Sequence, residues 1–156
     1  MLEIKKLSYG YNKDENKNLI KNLSFSVDKG HIKLVFGKSG IGKSTLLDII
    51  SGIINRDLIW TGKIFLDGLN VSQETIETRR IGYIMQDRLL FPHFTVYENL
   101  YFAMPKSERF KKNVILSYLE KISLLEIKNL YPSEISGGQS TRITCLRTLL
   151  SNPRVI

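Results

Sequence analysis

Cysteine is almost missing from this chain: Cys145 is the only one in 156 residues. A lone cysteine makes no internal disulfide, so a disulfide-stapled scaffold is excluded and a reducing compartment is expected. Its place in a helix pattern reads as packing rather than catalysis. No apolar run approaches the roughly eighteen residues that span a bilayer. The start Met1, Leu2, Glu3, Ile4, Lys5, Lys6 lacks the apolar stretch of a secretory signal. A cytoplasmic chain is therefore the expectation. Internal repeats and low-complexity tracts are also missing, which excludes solenoid and collagen-like architectures. Acidic residues are few, 15 against 23 Lys and Arg, leaving a formal charge of +8 and a pI near 9.6. Nucleic-acid and membrane-binding proteins carry such an excess. Here, however, the cations (Lys5, Lys6, Lys21, Lys33, Lys63, Arg79, Arg80, Lys111, Lys112, Lys121, Lys128) are scattered and rarely more than paired. Most of them read as solvated faces.

What is present is enough for one globular domain with a core, at 42% hydrophobic and 24% charged residues. Its most informative stretch is residues 37–45: Gly37, Lys38, Ser39, Gly40, Ile41, Gly42, Lys43, Ser44, Thr45. This G-x-x-x-x-G-K-S loop lies between a strand-like run (32–36) and a helix-like run (45–51). Glycines let the backbone curl until several N–H groups converge on one anion, and the following helix adds its N-terminal partial charge there. Nucleotide binding is the first hypothesis. Lys43 is expected to reach the β- and γ-phosphates, Ser44 to ligate Mg²⁺, and the amides of Gly40, Gly42, Lys43 and Ser44 to hold bridging oxygens. Hydrolysis needs in addition a carboxylate for the metal and a group that orients water, and neither lies in the loop.

Elsewhere, Leu2 and Ile4, then Leu23, Phe25 and Val27, alternate with polar neighbours as half-buried strands do, with residues 12–18 as a hairpin loop between them. The run 32–36 predicts a parallel strand covered on both faces. Leu46, Ile49 and Ile50 recur at helical spacing and Gly52 is a plausible stop. Residues 63–66 and 81–84 predict short strands. From Thr95 the pattern turns helical. Thr95 with Glu98 forms a capping box, Val114, Ile115, Tyr118, Leu119 and Ile122 share one face, and Ser136 with Gln139 opens a last helix carrying Ile143, Leu146 and Leu150. Ser136, Gly137, Gly138 and Gln139 also read as a second anion site, because a serine N-cap followed by two glycines leaves backbone N–H groups uncovered at a positive helix end; taken alone, such a start also reads as a plain helix cap. One nucleotide does not need two such sites within one chain, so the spare one suits a nucleotide held by another copy.

The phosphate loop, then Met85, Gln86, Asp87, then the stretch from Leu90 through Phe91, Pro92, His93, Phe94, Thr95 and Val96 to Glu98, Asn99, Leu100, then Ile135, Ser136, Gly137, Gly138, Gln139, occur in that order. Together they closely resemble the ATP-binding cassette (ABC) ATPases over essentially the whole chain, with Ile135 where leucine is usual. The resemblance implies an α/β P-loop NTPase (RecA-like) core, an N-terminal antiparallel β-subdomain and a helical subdomain carrying the signature. Residues 1–156 would form a single nucleotide-binding domain, with the β-subdomain and P-loop core at 1–86, the helical subdomain at 87–140 and the return to the core at 141–156. It implies ATP and Mg²⁺ as cofactors. It also implies a head-to-tail dimer in which Ser136, Gly137, Gly138 and Gln139 cap the ATP on the partner's Gly37, Lys38, Ser39, Gly40, Gly42, Lys43, Ser44 and Thr45.

By the same resemblance Tyr11 looks like the aromatic that stacks on adenine, with Tyr9 as the alternative. Gln86 looks like the glutamine that senses Mg²⁺ and the attacking water. The segment 89–100 is similar to importer cassettes, where it meets a cytoplasmic helix of a membrane permease; Phe91, Pro92 and Phe94 also read as subdomain core. The departure lies at the end. The family continues from a segment like 151–156 into an apolar strand ending in Asp-Glu, then a loop aspartate and a switch histidine, none of which is in this sequence. Neither His31 nor His93 is at the switch position. Weak or metal-poor ATP binding, little hydrolysis and a marginal fold with uncovered apolar area on the phosphate-loop strand are the expectations. The leading function is the ATP-binding subunit of an importer-type ABC transporter, with no nucleic acid. The alternatives are a non-hydrolytic remnant or regulator of an intact cassette, and a soluble ABC protein acting on nucleic acid.

Overall fold

A computed structural model describes residues 1–11, 19–85, 89–108 and 112–156, with the side chain of Lys112 excepted. They divide into two compact units, Met1–Arg80 and Ile81–Ile156.

The first unit is built on an antiparallel sheet of order β2-β1-β3-β4, from β1 (Leu2–Gly10), β2 (Ile20–Val27), β3 (Ile59–Leu66) and β4 (Leu69–Asn70). The expected hairpin of β1 and β2 is present; the loop expected at 12–18 lies outside the described residues. Between β3 and β4, Asp67 and Gly68 both have positive φ, 50° and 81°. Asp-Gly at two such positions is the turn that matches the twist of paired strands. The strand expected at 63–66 is thus the end of a longer one, whose earlier half alternates too weakly to be read.

β1 departs from strict alternation. Leu2, Ile4, Leu7 and Tyr9 are all buried, which a regular strand cannot achieve because positions 4 and 7 face opposite sides. Lys6, at φ 50°, sits in a register shift against both neighbouring strands and turns the strand over. Gly62 on β3 makes room: a Cβ there would lie 2.7 Å from Leu7 Cα and 2.9 Å from the Lys6 carbonyl oxygen.

Helix α1 (Lys43–Ser51) buries Leu46, Ile49 and Ile50 and ends at Gly52 (φ 88°), the stop expected from the sequence. Arg79, on the short α2 (Ile76–Arg79), corrects the reading of its charge as a solvated face: it is 1% exposed. Its guanidinium donates to the carbonyls of Ile49, Ile50, Ser72 and Glu74, which explains how a cation can be buried there, with the Glu74 carboxylate adding a favourable charge interaction.

The largest difference concerns residues 32–36, which form no strand; Ile32, Leu34 and Phe36 are 98%, 84% and 93% exposed. A strand persists only as a member of a ladder that satisfies its backbone. Among the described residues no other segment pairs with this one. The expected apolar area therefore stands uncovered.

The second unit is helical: α3 (Val96–Ala103), α4 (Lys112–Lys121) and α5 (Gly137–Leu150), with single 3-10 turns at Lys106–Glu108, Leu125–Ile127 and Pro132–Glu134. Its core joins Val96, Leu100 and Met104 of the α3 region with Ile115 and Leu119 of α4 and Ile143, Leu146 and Leu150 of α5. Fully burying each of these side chains stabilises by about 1.5–3 kcal/mol. Tyr118, expected on the core face, is 41% exposed, because Ile115 and Leu119 at i, i+4 already fill the stripe. In place of the strand expected at 81–84 there is a single parallel bridge, Ile81 with Val155. Cys145 is half-buried and free. Among the described residues no helix is long and apolar enough to cross a membrane.

Candidate functional site

The phosphate loop enters α1 through Gly42, the N-cap, at φ 101° and with no side chain capping the helix. The first-turn N–H groups are thus left without an internal side-chain partner. Gly40 is also left-handed (φ 82°), and nothing lies within 4 Å of where its Cβ would stand. An L side chain at either glycine would be strained, and one at Gly40 would point into the open space an anion needs. Lys43 crosses the loop, donating from Nζ to the carbonyls of Gly37 and Lys38 at 2.8 Å each. Those bonds hold the ammonium beside the loop backbone; Ser44, Lys38 and Ser39 are exposed and Thr45 is half-buried.

The residues therefore fit a polyphosphate: a curled backbone, an uncapped helix N-terminus and one cation. Magnesium fits less fully. Among the described residues no group of three or more His, Cys, Asp or Glu gathers, and the Ser44 hydroxyl, the ligand expected from the loop, is exposed. Gln86, the other expected metal contact and the expected catalytic residue, lies outside the described residues.

Two tyrosines precede the loop. Tyr11 is 53% exposed, as a ring free to stack on a base must be. Tyr9, its alternative, is 1% exposed and donates its hydroxyl to the Gly42 carbonyl at 2.9 Å, so its ring is committed to the interior. Burial pushes its phenol above the usual tyrosine range.

In the second unit Ser136 caps α5. Its hydroxyl accepts from Gln139 N at 3.2 Å, while Gln139 Oε1 accepts from Ser136 N at 2.8 Å. Gly138 has open space where a Cβ would stand. The expected capping box is present and Gly138 leaves the helix start uncluttered.

The same unit carries an aromatic group that contains the expected permease-facing residues. Phe91 packs edge-on to Phe94 and Phe102 at centroid distances of 5.5 and 5.2 Å, and His93 packs on Phe94 at 4.4 Å. Phe91 and Phe102 are exposed. Asn99, fully buried, fastens this turn: its Oδ1 accepts from Phe91 N, and its Nδ2 donates to the carbonyls of Phe91, Phe94 and Thr95. Arg147 of α5 donates to the Leu89 carbonyl and lies 5.7 Å from the Phe91 ring centroid, a cation–π distance. Its guanidinium is desolvated, which lowers its pKa. Sequence reasoning gave neither residue a role. A polar residue three after Val96 and beside Leu100, on the apolar stripe, was the available signal for Asn99. Arg147 had none.

The sequence pattern of the ABC transporter family matches residues 20–156, and the chain belongs to that family. It is 36% identical over 148 residues to the sulfate/thiosulfate import ATP-binding protein CysA of Neisseria meningitidis serogroup A, and equally to that of serogroup B. Each match covers 90% of this chain and 41% of the relative, so the chain spans about two fifths of those relatives' length. The fold is similar to that of the ATP-binding cassette MJ0796 in a dimeric post-hydrolysis state bound to ADP and Pi, with a TM-score of 0.75 and 26% identity, over 98% of this chain and 71% of that one. A second dimeric structure of MJ0796 matches with a TM-score of 0.72 at 24% identity.

Proposed function

We propose that this chain is the ATP-binding part of an importer-type ABC transporter. The phosphate loop carries the reading: an uncapped helix start, left-handed glycines at 40 and 42 and the Lys43 ammonium converge where a polyphosphate would lie. Gly37, Lys38, Ser39, Gly40, Gly42, Lys43, Ser44 and Thr45 hold the phosphates, and Tyr11 stacks on adenine. Ser44 and, by the family resemblance, Gln86 are the residues that would hold a magnesium ion, which would supply neutralisation of phosphate charge.

A second cassette and a membrane permease are the proposed partners. Ser136, Gly137, Gly138 and Gln139, with the open space over Gly138, suit a nucleotide presented by the other cassette. The exposed Phe91 and Phe102 suit a helix of a permease, which would place the chain at the cytoplasmic face of a membrane. The similarity to import proteins named for sulfate and thiosulfate supports an importer.

Calorimetric titration with MgATP tests the reading. Wild type binds, and Lys43→Ala loses at least about tenfold in affinity, since a charge-assisted contact is worth roughly 1.5–3 kcal/mol. Equal binding by the two proteins overturns it.

A further inference from the structure

We propose that Tyr9 is a positioning residue for the phosphate loop, its buried phenol fixing the peptide that joins Gly42 to Lys43. The inference rests on the phosphate-loop reading above.

The Gly42 carbonyl accepts two hydrogen bonds, from Tyr9 Oη and from Leu46 N, both at 2.9 Å. The second is the first backbone bond of α1. A carbonyl oxygen has two lone pairs, so this acceptor is fully used. The peptide is planar and trans, which places the Gly42 carbonyl and the Lys43 N–H on opposite sides of one rigid unit. Holding the oxygen toward Tyr9 and Leu46 therefore aims the Lys43 N–H out of the helix start, toward the anion.

The contact is built from several sides. A Cβ on Gly42 would lie 3.1 Å from Tyr9 Cε2 and 3.3 Å from its hydroxyl, so the ring also closes the space beneath the loop. Gly42 sits at φ 101°, where glycine has no strong local preference for one conformation, and no side chain caps it. An outside anchor supplies what the loop's own sequence leaves loose. Tyr9 reaches this place only because the irregularity at Lys6 turns the second half of β1 inward. Its main chain is held as well, with Leu19 N donating to the Tyr9 carbonyl at 2.9 Å.

A tyrosine kept for packing alone would be replaced by phenylalanine without effect on ligand. The test compares wild type, Tyr9→Phe and Lys43→Ala in titrations with MgATP, pyrophosphate and adenosine. Hydrogen exchange of residues 43–46 is followed without ligand. Tyr9→Phe is expected to weaken MgATP and pyrophosphate by about three- to tenfold, the range of one neutral hydrogen bond. Adenosine affinity is expected to hold, and exchange at 43–46 to accelerate while β1 exchange does not. Unchanged exchange at 43–46 overturns the inference, as does unchanged MgATP affinity where wild type exceeds Lys43→Ala. A loss shared in equal proportion by adenosine also overturns it, since that marks general loosening. If wild type and Lys43→Ala bind MgATP alike, the phosphate-loop reading fails first and this inference falls with it.

Discussion

The guanidinium of Arg79 occupies the space that a side chain on Gly52 would need: a Cβ there would lie 3.1 Å from Arg79 Nε and 3.3 Å from Cζ. Gly52 closes α1 in a left-handed conformation, its own N–H bonding back to the Asp48 and Ile49 carbonyls. Arg79 takes the Ile49 and Ile50 carbonyls from the side. The helix that begins at the phosphate loop is thus finished by a glycine and a buried cation together. A positive group at that end also complements the helix dipole.

Replacing Arg79 by Met is expected to lower stability by about 2–4 kcal/mol, because buried carbonyls are left without donors at roughly 1–3 kcal/mol each and not additively. Arg79→Lys should recover less than half, since one ammonium cannot reproduce the planar fork that reaches Ser72, Glu74 and the helix end at once. Urea unfolding measures both. A Met variant within about 0.5 kcal/mol of wild type, the usual span for a surface change, would show that the network carries little.

Asn99→Ala should cost about 2–3 kcal/mol in the second unit, as the loss of the amide takes the partner from Phe91 N and from the Phe94 carbonyl, while the Phe91 and Thr95 carbonyls keep Phe94 N and Asn99 N. The turn from Phe91 to Thr95 would loosen with it. Chymotrypsin cleavage after Phe94 should accelerate several-fold. Resistance equal to wild type would mean that the ring contacts alone hold the turn.

Acid should unfold this unit partly through Glu98. Hydrogen bonds from the Thr95 backbone and then its side chain hold the Glu98 carboxyl below its ordinary value near 4.5. A carboxyl lowered in the folded state stabilises above its unfolded pKa, and that contribution is lost as pH falls through the lower folded value. Wild type should therefore lose stability below about pH 4.5 more steeply than Glu98→Gln, measured by urea midpoints from pH 6 to pH 3. Parallel curves would remove Glu98 from the acid response.

Local chemistry made much of this chain legible. Thr95 with Glu98 and Ser136 with Gln139 form their capping boxes within four residues, so both helix starts could be read from spacing alone. The same holds for Gly52 as a stop and for the glycine, lysine and serine of the phosphate loop, whose conformation is set by their own backbone freedom. Where a role depended on distant partners, the sequence misled. Arg79 beside Arg80 looks like paired surface charge, and nothing nearby in the chain reveals that four carbonyls from residues 49 to 74 converge on it.

The sequence by itself carried the family resemblance in the order of its motifs, and the glycine-rich loop, the helix caps and the antiparallel β1–β2 pairing in short-range spacing. Tertiary structure decided which tyrosine is free: strict alternation from Leu2 and Ile4 would turn Tyr9 outward, and the irregularity at Lys6 opposite Gly62 turns it in. It also decided against the strand at 32–36. Hydrophobicity can nominate a strand, but only a neighbour with matching hydrogen bonds can make one.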